Sequence, residues 1–328
     1  MEAFRMLPRS LPRLEAMTDD DARAAIVRTL TWFETLGYAP TRAELSLAID
    51  TARSLELGAW DLHDHIEQMR AKNEIVEVGG RVGFPGSVER IVSTIRERDS
   101  FQPRKRRRAR WVASWLTRFS SVRFVALANT TALGSARDEG DLDFFVIVRA
   151  GTIWTTRLLA GLPFRLLGMT PRPGKERDAV CLSYFIADDA LDLSSHMLPD
   201  DDPYFRYWFL SLLPLSDDGV STGFWNANES VRTRHPFAQP WIVSPDLRVG
   251  RSSIARRDDA LRPAPYALLE PIARWLQLRW FPSVIRERMN RDSCVIVNDH
   301  ALKFHVTDGR EEYRRKYIEA CARRGICV

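Results

Sequence analysis

Two aspartates, Asp141 and Asp143, stand at the head of an apolar run of β-forming residues, 142–148. Side chains alternate along a β-strand, so both carboxylates face one side while Leu142 faces the other. Carboxylates about 7 Å apart along a strand can bind one or two hard divalent cations such as Mg²⁺ or Mn²⁺. Such ions neutralise phosphate charge and orient an attacking hydroxyl, as phosphoryl and nucleotidyl transfer require. The pair therefore predicts a catalytic metal site.

Two pairs of small residues precede the aspartates, and their spacing indicates which pair would face a phosphate. Ten residues separate Asn129-Thr130 from Asp141, whereas only five separate Gly134-Ser135 from it. A short helix followed by a return turn needs the longer spacing, and free N–H groups at a helix start favour anions. We therefore expect Asn129 and Thr130 to line the phosphates, with Gly134 as a further glycine of the same turn.

The order of these features resembles the nucleotidyltransferases of the DNA polymerase β superfamily. A buried-strand run, 122–128, leads into the small-residue turn, and two aspartates alternating with hydrophobic residues head the next strand. The resemblance implies an α/β (α+β) fold with a central mixed sheet and flanking helices. It implies an NTP as substrate, Mg²⁺ or Mn²⁺ as cofactor, and transfer of a nucleoside monophosphate to an acceptor. The implied site residues are Asn129, Thr130 and Gly134 for the nucleotide, and Asp141 and Asp143 for the metal and catalysis.

Two departures from this pattern bear on activity. Asparagine stands at position 129 where the family has glycine, and its side chain enters the phosphate-binding turn. The resemblance implies a third carboxylate from the neighbouring strand, predicted at 179–187, but the inward position at its centre is Ser183 or a hydrophobic neighbour. Asp178 at one end and Asp188 or Asp189 at the other remain alternatives. The alternatives to an active enzyme are nucleotide binding without turnover and a degenerate fold that serves as a nucleic-acid-binding regulator or complex subunit.

The N-terminal part is predicted to hold three helices followed by a β-hairpin. Thr41 and Glu44 form a capping-box pattern that starts the second helix, and Gly79-Gly80 lies between two short alternating runs within 74–84. This plan resembles the winged helix-turn-helix family, in which the third helix enters the DNA major groove. The third helix here is rich in acidic residues, which repel phosphates, so a domain used only for protein contacts is the alternative.

A basic stretch follows, with eight Lys or Arg residues and no Asp or Glu between positions 101 and 123. Such a run is usually a solvated connector, and between a DNA-binding module and a phosphate-handling site it also predicts contact with nucleic acid. The candidate nucleic-acid-binding residues are Arg104, Lys105, Arg106, Arg107 and Arg108.

Composition favours a protein of the cytoplasm. Four cysteines lie far apart without a C-x-x-C pair, so neither a disulfide framework nor a zinc site is indicated. The most apolar stretch, 153–169, is interrupted by Arg157 and Arg165, so we expect no membrane association. The net charge of +5 is modest, and the partners expected are an NTP, nucleic acid and a protein partner.

The C-terminal region is expected to be helical. Lys303 and His305 are expected at a helix end that meets solvent, and the alternative is that they and Arg310 add positive charge near a phosphate. The predicted domains are a winged helix-turn-helix domain (1–87), a helical and basic linker (88–120), a nucleotidyltransferase-like domain (121–245) and a helical C-terminal region (246–328).

Overall fold

The computed structural model describes residues 18–52, 59–243, 245–250 and 267–328. It is a mixed α/β structure with a six-stranded sheet and a separate two-stranded hairpin. None of the described helices is both long and apolar enough to span a bilayer. The helices are α1 (Asp19–Thr35), α2 (Arg42–Ala48), α3 (Ala59–Ala71), α4 (Val88–Asp99), α5 (Gln102–Leu116), α6 (Asn129–Ala132), α7 (Ile153–Leu166), α8 (Pro203–Leu210), α9 (Ser221–Ala227), α10 (Glu229–Arg232), α11 (Glu270–Trp280), α12 (Ser283–Arg288) and α13 (Arg310–Arg323). The strands are β1 (Val76–Val78), β2 (Arg81–Gly83), β3 (Val122–Leu127), β4 (Leu142–Val148), β5 (Val180–Ala187), β6 (Leu213–Asp217), β7 (Val295–Val297) and β8 (Ala301–Phe304).

The six-stranded sheet has the order β6-β3-β4-β5-β8-β7. Only β4 and β5 are parallel, and every other neighbouring pair is antiparallel. Asp143 on β4 lies beside Cys181 on β5, but Phe145 lies beside Tyr184, so two steps on β4 span three on β5. This extra residue bends β5 near its first residues, as β-bulges do.

Helices cover both faces of the sheet and make it the centre of a three-layer structure. Val112 of α5 and Ile153 of α7 pack on one face together with Phe144 of β4. Phe145 points to the other face, where it stacks on Phe224 of α9 with ring centroids 5.3 Å apart. The β4 strand is apolar on both faces except at Asp143, near its first residue. This end of the strand reaches a cavity.

The N-terminal part contains the three helices and the hairpin that the sequence predicts. The capping box at the start of α2 is confirmed: the Thr41 N–H donates to Glu44 Oε2 at 2.7 Å, and the Glu44 N–H donates to Thr41 Oγ1 at 3.2 Å. Gly79 and Gly80 both have positive φ, as the two-residue turn between β1 and β2 requires.

Extensive contacts attach this N-terminal part to the sheet. Trp32 of α1 stacks on Tyr207 of α8 with centroids 5.2 Å apart. Asp50, fully buried, accepts hydrogen bonds from Arg206 Nη1 at 3.0 Å and from Arg234 Nε at 2.8 Å. A buried carboxylate held by two guanidinium groups fixes the orientation of both partners.

The basic stretch is part of a helix rather than the connector that composition suggested. Six of its eight cations, from Arg104 to Arg110, lie in α5, whose Lys105 is fully buried and donates to Asp178 Oδ1 at 2.9 Å and to the Gly140 carbonyl at 2.6 Å. Arg104 pairs with Asp138 and Asp178. The compensating acids lie far away in sequence, so the local pattern gave no sign of them.

The C-terminal region is not wholly helical, which corrects the sequence prediction. After α11 and α12, which are broken at Pro282, the chain forms the β7–β8 hairpin, and β8 pairs antiparallel with β5. These strands complete the sheet, and α13 then packs on α1. The predicted boundary at 245 therefore divides residues of a single sheet.

Candidate functional site

Asp141 and Asp143 lie at the open end of β4, next to Cys181 of β5. Their carboxylate oxygens and the Cys181 Sγ all lie within 4.8 Å of one another. Register explains the cluster, because Asp143 and Cys181 are direct neighbours on parallel strands. The two aspartates thus share one side of the strand end, as their alternation predicts.

The turn before the aspartates is tied to them by Asn129. This residue opens α6 with a φ of +56°, in the left-handed region that asparagine tolerates better than most residues. Its Nδ2 donates a hydrogen bond to Asp143 Oδ2 at 2.8 Å, and the Tyr204 hydroxyl donates to its Oδ1 at 3.1 Å. Asn129 therefore orients one of the two carboxylates.

The aspartates open into a cavity of about 530 Å³, which we call the acidic cavity. The aromatic helix α8 forms a wall of this cavity through Tyr204, Phe205 and Trp208 and does not seal it. Another wall comes from β8 and the turn that follows it. The residues of that wall are Lys303, Phe304, His305, Val306, Thr307, Asp308, Gly309 and Arg310.

Of the three predicted nucleotide-binding residues, only Asn129 lines the acidic cavity. Thr130 borders a second cavity of about 280 Å³, the aromatic cavity, whose walls include Trp32 and Tyr38 of the N-terminal part. Gly134 has a φ of +66° and lies near Arg106, outside the described walls of both cavities. Asn129 lines both cavities and therefore stands between the acidic cavity and the aromatic cavity.

The electrostatics of the acid pair favour a bound cation. Burial and the neighbouring charge of Asp143 raise the pKa of Asp141 to about 6, and burial raises the pKa of Asp143. Neither carboxylate forms an ion pair with any residue that the structure describes. Two desolvated carboxylates that repel each other bind protons or cations to relieve the repulsion.

The donor set fits the cation that the sequence predicts. Carboxylate oxygens are ligands that Mg²⁺ and Mn²⁺ prefer, so Asp141 and Asp143 fit either ion. Burial and both carboxylates raise the pKa of the Cys181 thiol well above its usual value, and its Sγ donates to Ser183 Oγ at 3.3 Å. Two hard ligands with a protonated thiol beside them suit a cation that keeps several waters or phosphate oxygens.

Cation binding should depend steeply on pH. A divalent cation must displace the proton from Asp141, whose pKa is about 6, so affinity should fall about tenfold for each pH unit below 6. Calorimetric titration with Mn²⁺ between pH 5 and 8 measures this dependence. An equal affinity at pH 5 and pH 7.5 would contradict it.

The metal-free protein should show the matching effect on stability. A carboxyl whose pKa is higher in the folded state contributes stability below its unfolded-state pKa, and this contribution is lost as the pH rises through about 6. Asp141→Asn should remove this pH dependence, which thermal denaturation of the variant and the unaltered protein would measure.

None of the three acids proposed as a third carboxylate lies in the acidic cavity. Asp178 is bound by Arg104 and Lys105, and Asp188 accepts a hydrogen bond from the Ala150 N–H at the far end of β5. Asp189 contacts His300. The position beside the acid pair is occupied by Cys181, and the next polar residue, Ser183, is 3.3 Å from His305 Nε2.

Lys303 and His305 are not at a solvent-facing helix end, which corrects the favoured sequence interpretation. Lys303 lies on β8, is 1% exposed, and sits 5.5 Å from the centroid of the Tyr184 ring. Burial, aided by Arg310, lowers the pKa of Lys303 to about 7, and burial lowers the pKa of His305 to about 3. Lys303 and His305 both line the acidic cavity, but four residues of β8 are too few for their alternation to distinguish a strand from a helix.

Arg310 and Asp308 form the end of the cavity beyond Lys303. Arg310 Nε donates to Asp308 Oδ2 at 2.7 Å, and its Nη1 donates to Asp202 Oδ2 at 2.8 Å. With two carboxylate partners, this guanidinium is compensated, whereas the Lys303 Nζ donates to the His196 carbonyl at 3.5 Å and forms no ion pair with a carboxylate in the described part of the chain. Lys303 is therefore the cation that a negatively charged ligand in the cavity would meet.

The candidate nucleic-acid-binding residues divide into two sets. Arg104, Lys105 and Arg108 contact the acids and carbonyls at the Asp178 and Gly140 turns, and Arg108 Nε donates to the Asp178 carbonyl at 2.7 Å. The exposed residues of the five are Arg106 and Arg107. The contacts of the first set join α5 to the turns at Gly140 and Asp178.

No protein-family model, curated protein or solved structure matches this chain. Its function is therefore inferred from the geometry of its own residues.

Proposed function

We propose that this protein is a nucleotidyltransferase that depends on Mg²⁺ or Mn²⁺ and transfers a nucleoside monophosphate from an NTP to an acceptor. The observation that carries the proposal is the pair of uncompensated carboxylates, Asp141 and Asp143, at the end of a strand that opens into the acidic cavity. Three further features support the proposal: the preceding strand β3, the turn at Asn129 and the central mixed sheet.

In the proposed reaction, an acceptor oxygen bonds to the α-phosphorus of the NTP. The bond from that phosphorus to the oxygen bridging the β-phosphate breaks, and pyrophosphate leaves with the electron pair. A bound Mg²⁺ or Mn²⁺ supplies charge neutralisation on the triphosphate. Asp141 and Asp143 would hold this cation as carboxylates, and the proton of the acceptor hydroxyl leaves to water.

The remaining residues of the cavity orient these groups. Asn129 holds the Asp143 carboxylate through its amide, and Tyr204 holds the Asn129 oxygen in turn. Thr130 and Gly134 lie outside the described walls of the acidic cavity, whereas Lys303 lines it. Lys303 is therefore the residue that contacts phosphate in this proposal. Phosphate binding should raise the pKa of Lys303 from about 7, since an anion favours the ammonium form.

Incubation with labelled NTPs and Mg²⁺ or Mn²⁺ tests the proposal. The expected result is metal-dependent release of pyrophosphate and transfer of label to nucleic acid, protein or a small molecule. Asp189→Asn is the matched control for substitutions of the acid pair, because Asp189 follows the end of the neighbouring strand β5 and pairs with His300 outside the cavity. No release and no Mg-NTP binding by calorimetry would refute the proposal.

A second candidate function is nucleotide binding without turnover. Two observations favour it. The Asn129 side chain enters the site and its amide donates to Asp143, and Cys181 stands beside Asp143 where an active enzyme would have an acid. Such a degenerate protein would act as a nucleic-acid-binding regulator or complex subunit. Mg-NTP binding with no pyrophosphate release from any acceptor would favour this candidate.

For the N-terminal part we propose a winged helix used mainly for contacts within the protein. Three helices and a hairpin support the assignment, as does the bridge between Thr41 and Arg81. Two arginines near α3 are compensated, because Arg42 pairs with Glu67 and Glu77, and Arg70 pairs with Glu67. A gel shift that weakens when Arg106 and Arg107 are neutralised would instead support nucleic-acid binding through α5.

A further inference from the structure

A third cavity, of about 560 Å³, lies on the α7 side of the sheet and is lined by three arginines. Arg157 and Arg165 come from α7, and Arg172 comes from the segment after it. No aspartate or glutamate is found among the described residues that line this arginine cavity. Its other walls are largely apolar, with Leu158, Trp280, Phe281 and Ile285 among them.

Arg157 is held in the arginine cavity by neutral partners. Its Nη1 donates to Gln277 Oε1 at 2.7 Å, and its guanidinium carbon lies 4.4 Å from the centroid of the Phe304 ring. Gln277 is fixed by donating through Nε2 to the Trp154 carbonyl at 2.7 Å. The Arg157 Nε is buried without a hydrogen-bond partner among the described residues.

The positive charge of the arginine cavity is therefore uncompensated. No ion pair joins Arg157, Arg165 or Arg172 to a carboxylate in the described parts of the chain. Burial lowers the pKa of Arg157 to about 10, and the charge of Arg165 adds to this effect. Keeping a buried guanidinium without an anion is costly, so an anionic ligand would stabilise this arrangement.

The arginine cavity adjoins the acidic cavity at the first residues of β5. Cys181, Ser183 and Phe304 line both spaces. Pairing between β5 and β8 begins only at Tyr184 and Lys303, so the bent start of β5 has no strand beside it on that edge. A ligand bound to the arginines would reach the acid pair past this unpaired edge.

The geometry points to the arginine cavity as the binding site for a phosphate group of the acceptor, which places the attacking oxygen of that acceptor at the acid pair. Planar guanidinium groups match the geometry of phosphate oxygens and bind them through paired hydrogen bonds. The apolar walls beside Arg157 lower the local dielectric constant and strengthen its contact with an anion. Assignment of the phosphate to an acceptor rests on the proposed function, whereas the anion site itself does not.

Calorimetric titration of the full chain with pyrophosphate in EDTA tests the anion site, since EDTA removes any contribution from metal at the acid pair. The double variant Arg165→Gln and Arg172→Gln should bind pyrophosphate at least about tenfold more weakly than the unaltered protein. Both side chains are exposed at the rim, so folding should be unaffected. Arg323→Gln, an exposed arginine of α13, is the matched control and should bind unchanged.

Equal pyrophosphate binding by the double variant and the control would overturn the anion site. A further titration with pyrophosphate in the presence of saturating Mg-NTP separates the two sources of phosphate. Binding alongside Mg-NTP supports an acceptor site, whereas one-for-one displacement assigns the arginines to the triphosphate and overturns it. If Mg-NTP does not bind at all, the proposed function and the acceptor assignment fail while arginine-dependent pyrophosphate binding remains.

Discussion

Asp143→Asn is expected to lower the rate of nucleotidyl transfer by on the order of 10³-fold while leaving the fold intact. The substitution removes one of two carboxylates that can hold a divalent cation and keeps the size of the side chain. Burial raises the pKa of Asp143, which means that its charged form is unfavourable in the folded protein. The variant should therefore be at least as stable as the unaltered protein at pH 8.

A lower transfer rate together with unchanged or higher stability of Asp143→Asn would show that this carboxylate serves function and does not stabilise the fold. Pyrophosphate release and thermal denaturation, measured on the same preparation, provide the two readouts. Asp189→Asn should change neither by a comparable amount, because Asp189 is partly exposed and lies outside the described walls of the acidic cavity. Unaltered transfer by Asp143→Asn would exclude the acid pair as the catalytic site.

Asp50→Asn is expected to lower the free energy of unfolding by about 3–5 kcal/mol. Burial disfavours the Asp50 carboxylate, but attraction from Arg206, His235 and Arg234 outweighs this and holds its pKa well below the usual value. Removing the charge leaves the Arg206 guanidinium buried, with Asp201 as its remaining carboxylate partner. Urea denaturation at pH 7 measures the loss.

The pH dependence of stability gives a second readout for Asp50. A depressed carboxyl pKa contributes stability above the unfolded-state value, near 4, and that stability is lost as the pH falls below it. The difference between Asp50→Asn and the unaltered protein should therefore shrink in acid. Glu319→Gln, which breaks an exposed pair with Arg315, should cost less than about 0.5 kcal/mol and serves as the control.

Local patterns in the sequence predicted a large part of the fold. The apolar runs at 122–128, 142–148 and 179–187 are the strands β3, β4 and β5, and the capping box and glycine pair are where the N-terminal helices and hairpin require them. These features succeed because backbone hydrogen bonding and side-chain alternation depend on neighbours in sequence. The same alternation brought Asp141 and Asp143 to one side of β4.

Other features depend on partners that are distant in sequence, and these were missed. The basic half of α5 is helical because Asp138 and Asp178 compensate it, and neither acid lies near it in the chain. β7 and β8 have three and four residues, too short for periodicity to distinguish them from helix, and β8 is stabilised by pairing with β5. Lys303 was consequently expected in solvent instead of in the acidic cavity.

The order of the strands has a consequence for synthesis of the protein. β5 emerges from the ribosome well before β8, its antiparallel neighbour, so its edge stays unpaired while the intervening chain is made. An exposed apolar edge strand is a template for association with other chains. We therefore expect the nascent chain to bind chaperones until residues 301–304 are available, and the acidic cavity to acquire its Lys303 wall as one of the last steps of folding.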